Sequence, residues 1–149
     1  MTQYIYIASP KELSTGSFGL NPVSSEQPNV FETELDFAHL SFEDNYDPKS
    51  KSRFSYSPHF SFEFQVACSF NFLHLKNGLK GNATDDKCMA LLYSYIDEAL
   101  KSNGFVDYFT CWNGEEELLI TNKRSIQWAD IKTSYDLVLA DREFWEITL

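Results

Sequence analysis

Between His59 and Leu75 an apolar side chain stands at every second position: Phe60, Phe62, Phe64, Val66, Cys68, Phe70 and Phe72. Ser61, Glu63, Gln65, Ala67, Ser69 and Asn71 lie between them. A helix repeats every ~3.6 residues and would scatter this set around its axis, whereas a strand repeats every second residue and gathers it on one face. The run therefore predicts a long, bent strand with one face buried by aromatic rings. Asn77-Gly78 and Gly81-Asn82 supply the turn chemistry that ends it.

Residues Thr84 to Asn103 carry the opposite period. Cys88, Leu91, Leu92, Tyr95, Ile96 and Ala99 follow the i, i+3, i+4 spacing of a helical stripe. Thr84 or Asp85 supplies an N-cap, Asp85 and Asp86 suit the positive end of the helix dipole, and Asn103-Gly104 is a sound stop. Tyr4 to Ala8 reads as a first strand, and Ser9 to Pro28, rich in Ser, Gly, Pro and Asn, as a long loop. From 30 to 38 the chain alternates, with Phe31, Leu35 and Phe37 facing one way and Glu32, Glu34 and Asp36 the other, which predicts a half-wet strand. Asp44 to Pro58 reads as turns around the basic cluster Lys49, Lys51 and Arg53.

After the helix, Phe105 to Trp112 reads as a strand, with Asn113-Gly114 as a hairpin turn and Glu116 to Thr121 as its return. Asn122 to Ser125 reads as a polar turn, and Ser125 to Ile131 as either a strand or a short helical turn. Tyr135 to Leu139 and Phe144 to Leu149 suggest a final hairpin. The expected class is α+β: a mostly antiparallel, curved β-sheet packed against one main α-helix at about residues 84–103, in a single domain spanning 1–149.

Composition narrows the function. The 149 residues are 43% hydrophobic and include 13 Phe, enough for a real core. Acids outnumber bases 22 to 12, for a formal net charge of −10. Binding a nucleic acid or an anionic membrane surface needs clustered Lys and Arg, so neither is expected as a partner. No run approaches the ~18 apolar residues of a membrane span, and the short apolar stretch Tyr4 to Ile7 lacks the basic flank of a secretion signal. Cys68, Cys88 and Cys111 have no framework spacing, so reduced thiols in a cytoplasmic protein are expected. On that ground Asn82-Ala83-Thr84 is an accidental match to a glycosylation acceptor.

Catalytic signatures do not emerge. The chain has no Cys-x-x-Cys, no His-Glu-x-x-His and no calcium-loop pattern, and His39, His59 and His74 are scattered, so no metal and no cofactor is expected. Ser14 to Gly19 contains glycine but lacks the lysine and following helix of a phosphate loop. Cys68 continues a row of Phe residues and reads as buried and inert. Twenty-two acids leave a paired general acid and base undetermined.

The acids themselves are unevenly placed. From Leu13 to Pro48 there is no Lys or Arg, while Glu26, Glu32, Glu34, Asp36, Glu43, Asp44 and Asp47 lie in that stretch. A second cluster, Glu115, Glu116 and Glu117, follows the Asn113-Gly114 turn. These acids, with Tyr46, Phe42 and Trp112 as neighbouring aromatic anchors, outline a recognition face for a basic protein. In size, charge and lack of catalytic motifs the chain resembles bacterial immunity or inhibitor proteins, which neutralise a toxin, often a basic nuclease, by covering its active site. The resemblance implies an acidic protein-binding module rather than an enzyme. Two other expectations stand beside it: a small-molecule binder or enzyme with a pocket between sheet and helix, and an accessory subunit of a larger assembly.

Overall fold

The computed structural model describes residues 2–75 and 81–149. The fold is α+β, with a seven-stranded sheet and one long helix among the described residues. Strand β1 (Gln3–Ser9) occupies the middle of the sheet. It pairs antiparallel with β6 (Phe64–Ser69) along one edge and with β7 (Phe105–Trp112) along the other. Outside β6 lie β3 (Leu40–Asp44) and β2 (Gly16–Phe18); outside β7 lie β9 (Glu143–Thr148) and β8 (Asn122–Gln127). All of these pairs are antiparallel except β8–β9, which is parallel. A small ribbon, β4 (Tyr46–Asp47) with β5 (Ser52–Arg53), stands apart.

The helix α2 (Ala83–Asn103) covers one face of the sheet. Asn82, rather than Thr84 or Asp85, caps it: Asn82 Oδ1 accepts from the Asp85 amide at 2.8 Å, and Asp85 Oδ2 accepts from the Asn82 amide at 3.1 Å. Gly104 closes it in the left-handed region at φ 84°. Met89, Leu92, Ile96 and Leu100 are fully buried against Ile5, Ile7, Val66 and Tyr108. The rings of Phe42 and Tyr95 stack 3.9 Å apart. The second face holds its own cluster, with Tyr6, Ala8, Phe60, Ala67, Phe109, Cys111 and Phe144.

The alternating run forms a much shorter strand than its period suggests. β6 spans only the length over which β1 can pair with it, from Ser9↔Phe64 to Tyr4↔Ser69. Before Phe64 the chain crosses the second face, where Phe60 packs on Phe109 and Phe144, opposite to Val66 and Cys68. Buried amides hold that crossing. Gln65 accepts from the Tyr56 amide and donates to the Phe62 carbonyl, and Asn45 donates to the carbonyls of Phe54 and Glu63. Beyond Ser69, Gln3 Oε1 accepts from the amides of Phe72 and Leu73 and draws the chain into a single turn at Leu73–Leu75. Gly81-Asn82 leads into α2, and Asn77-Gly78 lies outside the described residues.

Five further expectations are corrected. Residues 30–38 are not a strand: Thr33 Oγ1 accepts from the Asp36 amide at 3.1 Å and caps the one-turn helix α1 (Glu34–Phe37), a local bond that an extended chain forfeits. Ser9 to Pro28 is not all loop, because β2 adds to β3. Asn113-Gly114 turns the chain, but no strand returns at Glu116 to Thr121, because β1 and β9 already fill both edges of β7. The polar segment from Asn122 instead forms β8 at the sheet edge, extending through Gln127 into a short 3-10 turn at Trp128–Asp130. The final hairpin also fails: Thr133 and Asp136 form a capping box around a 3-10 turn at Ser134–Leu137, leaving β9 to pair with β7 and β8.

Tyr108 is fully buried, and its hydroxyl donates to the Leu137 carbonyl at 2.6 Å. Tyr108→Phe leaves that carbonyl without its donor and is expected to destabilise the fold by about 1–2 kcal/mol. Urea unfolding with an unchanged m-value checks this.

Candidate functional site

Two surfaces stand out, and the first contains four acids of the expected recognition face, Glu26, Glu32, Glu34 and Asp36. Between Gly19 and Ala38 the chain leaves the sheet and folds back on itself. The Asn21 amide donates to the Asp36 carbonyl at 2.9 Å, and the Val23 amide to the Val30 carbonyl at 2.8 Å. Leu20, Val23, Val30, Leu35 and Phe37 are all exposed on this excursion, Phe37 by 52%. Phe31 packs its ring against Phe37 at 5.2 Å, and His39 lies 5.1 Å beyond. Glu26, Glu32 and Glu34 are exposed among them, while Asp36 is half-buried and accepts from Thr33 Oγ1 at 3.0 Å. Glu32, Glu34 and Asp36 therefore sit on α1 and its lead-in, not along one face of a strand.

The other expected site residues are distributed differently. Phe42 is buried beneath α2 and offers nothing to a partner. Glu43 and Asp44 are exposed on β3, and Tyr46 is exposed on β4 with the Arg53 guanidinium 5.7 Å from its ring. The carboxylates of Asp44 and Asp47 accept from the amides of Tyr46 and Lys49, so both shape turns. Trp112 is half-buried at the end of β7. Glu115 is half-buried and Glu117 exposed, but Glu116 is an anchor: it accepts from Tyr6 Oη at 2.9 Å and from the Gly114 amide at 3.2 Å. Tyr56 Oη donates to the carbonyls of Glu43 and Asp44, and its ring lies 5.3 Å from Tyr6. Two tyrosines thus join the Glu43–Asp44 segment to Glu116 across the second face. Among the described residues, no hydrogen bond or ring contact joins the 19–38 excursion to Glu115, Glu116 or Glu117.

The second surface was not singled out from the sequence. Asp107 lies on the second face of β7, between Ala8 of β1 and Glu146 of β9. It is only 6% exposed, and its carboxylate accepts no hydrogen bond among the described residues. It opens onto a cleft of about 230 Å³ walled by Phe62 and Phe105, with Ser125, Gln127, Glu146 and Thr148 around it. Lys123 of β8 reaches Glu146 at 3.7 Å and lies 5.4 Å from the centre of the Phe144 ring. Burial, and then the neighbouring Glu146 charge, push the Asp107 carboxyl up to about 7, against a smaller pull from Lys123. The available signal was an ionisable residue inside the otherwise uncharged run Phe105 to Trp112.

The thiols offer no reactive centre in the folded chain. All three are buried, and burial pushes Cys68 and Cys111 up to about 12 and raises Cys88 as well. Cys111 belongs to the second-face cluster. Among the described residues no three His, Cys, Asp or Glu side chains gather as metal ligands, and no helix is long and apolar enough to cross a membrane. No protein-family model, curated protein or solved structure matches this chain.

Two outcomes follow from these environments. Ellman's reagent at pH 8 should leave the folded protein unlabelled and titrate three thiols once it is denatured. Asp107 holds its proton in the folded state up to pH about 7, whereas the unfolded chain releases it near 3.8. Its contribution therefore erodes stability as pH rises through that window and stays unfavourable above it. Asp107→Asn should stabilise the protein at pH 8 by about 1–2 kcal/mol, with solvent at the cleft mouth screening part of the effect. The gain should vanish near pH 4, as read by chemical denaturation across pH.

Proposed function

We propose that this chain is an acidic protein-binding module whose partner is a basic protein, working as an inhibitor or immunity-type factor. The observation that supports this most is the 19–38 excursion. It exposes Leu20, Val23, Val30, Leu35 and Phe37 within a stretch from Leu13 to Pro48 that has acids and no Lys or Arg. Exposed apolar side chains gathered on one segment are costly to leave in water and are common at interaction surfaces. Rimmed by Glu26, Glu32 and Glu34, they combine two roles: apolar contact for affinity, and a negative field that speeds encounter and rejects acidic partners.

The interior lends weight to a surface function. Between sheet and α2, the fully buried Met89, Leu92, Ile96 and Leu100 pack in one cluster with Ile5 and Ile7. Three unpaired thiols suit a reducing compartment such as the cytoplasm.

Pull-down from the source cell at low salt, on the order of 50 mM, and again at roughly ten times that, tests the reading. Wild type should retain a basic protein at low salt and lose most of it at high salt. The double variant Leu35→Ser/Phe37→Ser should lose it at both. Glu32→Gln/Glu34→Gln should weaken capture at low salt and flatten the salt response. Recovery of no basic protein, or capture indifferent to salt and to both variants, would overturn it.

A further inference from the structure

We infer that the Asp107–Glu146 cleft is a binding site for an organic cation, an alkylammonium or guanidinium group. This site lies on the second face of the sheet and does not depend on the role given to the 19–38 excursion. The argument starts from Asp107. Asp107 is 6% exposed as a residue, yet its carboxylate meets no hydrogen-bond donor among the described residues and its oxygens are not sealed in the protein but open to the cleft, where a ligand can reach them. Glu146 stands directly across from it on β9, so two carboxyls face the same space, with Cβ atoms about 5 Å apart.

The cleft suits a cation of a particular kind. Among the described residues no three His, Cys, Asp or Glu side chains gather as metal ligands, so this pair of carboxyls does not make up a metal site. An anion would be repelled. Phe62 and Phe105 supply ring surface, which attracts ammonium and guanidinium groups, and Ser125, Gln127 and Thr148 supply acceptors for their N–H groups. The protein already places one cation in this manner: Lys123 Nζ lies 3.7 Å from Glu146 and 5.4 Å from the Phe144 ring centre. Lys123 makes no ion pair with Asp107 and is itself 55% exposed on its side chain, so it leaves the deeper carboxyl to a ligand and can swing away. The charged groups facing Asp107 are Glu146 from β9 and Lys123 from β8. From β1 the facing residue is Ala8, and from the crossing before β6 it is Phe62.

Two probes separate the sources of such a group: agmatine, a free guanidinium amine, and acetyl-Gly-Arg-Gly-amide, an arginine carried on a chain. Titration of the full-length protein, followed by amide NMR shifts, should show saturable changes at Asp107, Glu146 and Thr148 with at least one probe. Binding to the ionised carboxylate requires loss of the Asp107 proton, so affinity should be about tenfold higher at pH 8 than at pH 6. Asp107→Asn should lower affinity at least about tenfold at pH 8 and remove the pH dependence, while Lys123→Met, which removes the competing cation, should raise affinity several-fold. Agmatine binding alone identifies a free amine as the ligand. Binding of the peptide as well identifies an arginine side chain of another protein. No saturable shift with either probe up to about 10 mM at pH 8, or binding unchanged by Asp107→Asn, would overturn the assignment.

Discussion

Strand β1 is paired along both edges and covered on both faces, and the layers of the molecule are built outward from it. Ile5 and Ile7 point into the core beneath α2, while Tyr6 and Ala8 point into the second cluster. Its first residue, Gln3, is a buried side chain with its polar atoms engaged. Nε2 donates to Thr110 Oγ1 at 2.6 Å, Oε1 accepts from the Phe72 and Leu73 amides, and Thr110 in turn donates to the Tyr4 carbonyl. One amide therefore joins β1 to β7 and to the chain leaving β6. A buried network of this kind is favourable only when complete, so it couples three segments far apart in sequence.

The two covers of the sheet differ in material. α2 lays a continuous apolar stripe on one face. The other face is covered by irregular chain, the crossing before β6 and the segment after the Asn113-Gly114 turn. Irregular chain must satisfy its backbone groups individually. Asn45 and Gln65 do this for the first segment, and Ser57 Oγ, donating to the Glu116 carbonyl at 2.7 Å, and His59, bonded to the Leu118 carbonyl, do it between the two. Such a cover is incomplete at its corners. The Asp107–Glu146 cleft is one of them, where β7, β8 and β9 meet solvent beyond Phe62.

The elements that were legible in the sequence are those whose reasons are local. The α2 stripe, the Gly104 stop and the apolar runs of β1 and β7 formed within a residue or two of their expected bounds. Even there the N-cap moved to Asn82, because a reciprocal bond with Asp85 outweighs a single-sided cap. The acids of the recognition face were legible as composition but not as geometry: a threonine cap turned Glu34 and Asp36 onto α1, and Tyr6 claimed Glu116. Asp107 escaped notice because the environment that distinguishes it comes from Glu146 and Phe62, 39 and 45 positions away in the chain.

Taken alone, the sequence determined the class, the main helix, the burial of Cys68 and the separation of acids from bases. Each of these follows from side-chain type and short-range period. Only the tertiary structure decided where the long alternating run would stop, which edge each later strand would take, and which carboxyls would share a cleft. A strand has two edges and two faces, and what fills them comes from distant segments. The alternation from Phe60 to Phe72 could therefore mark burial without revealing that Phe60 and Val66 are buried on opposite sides of the sheet.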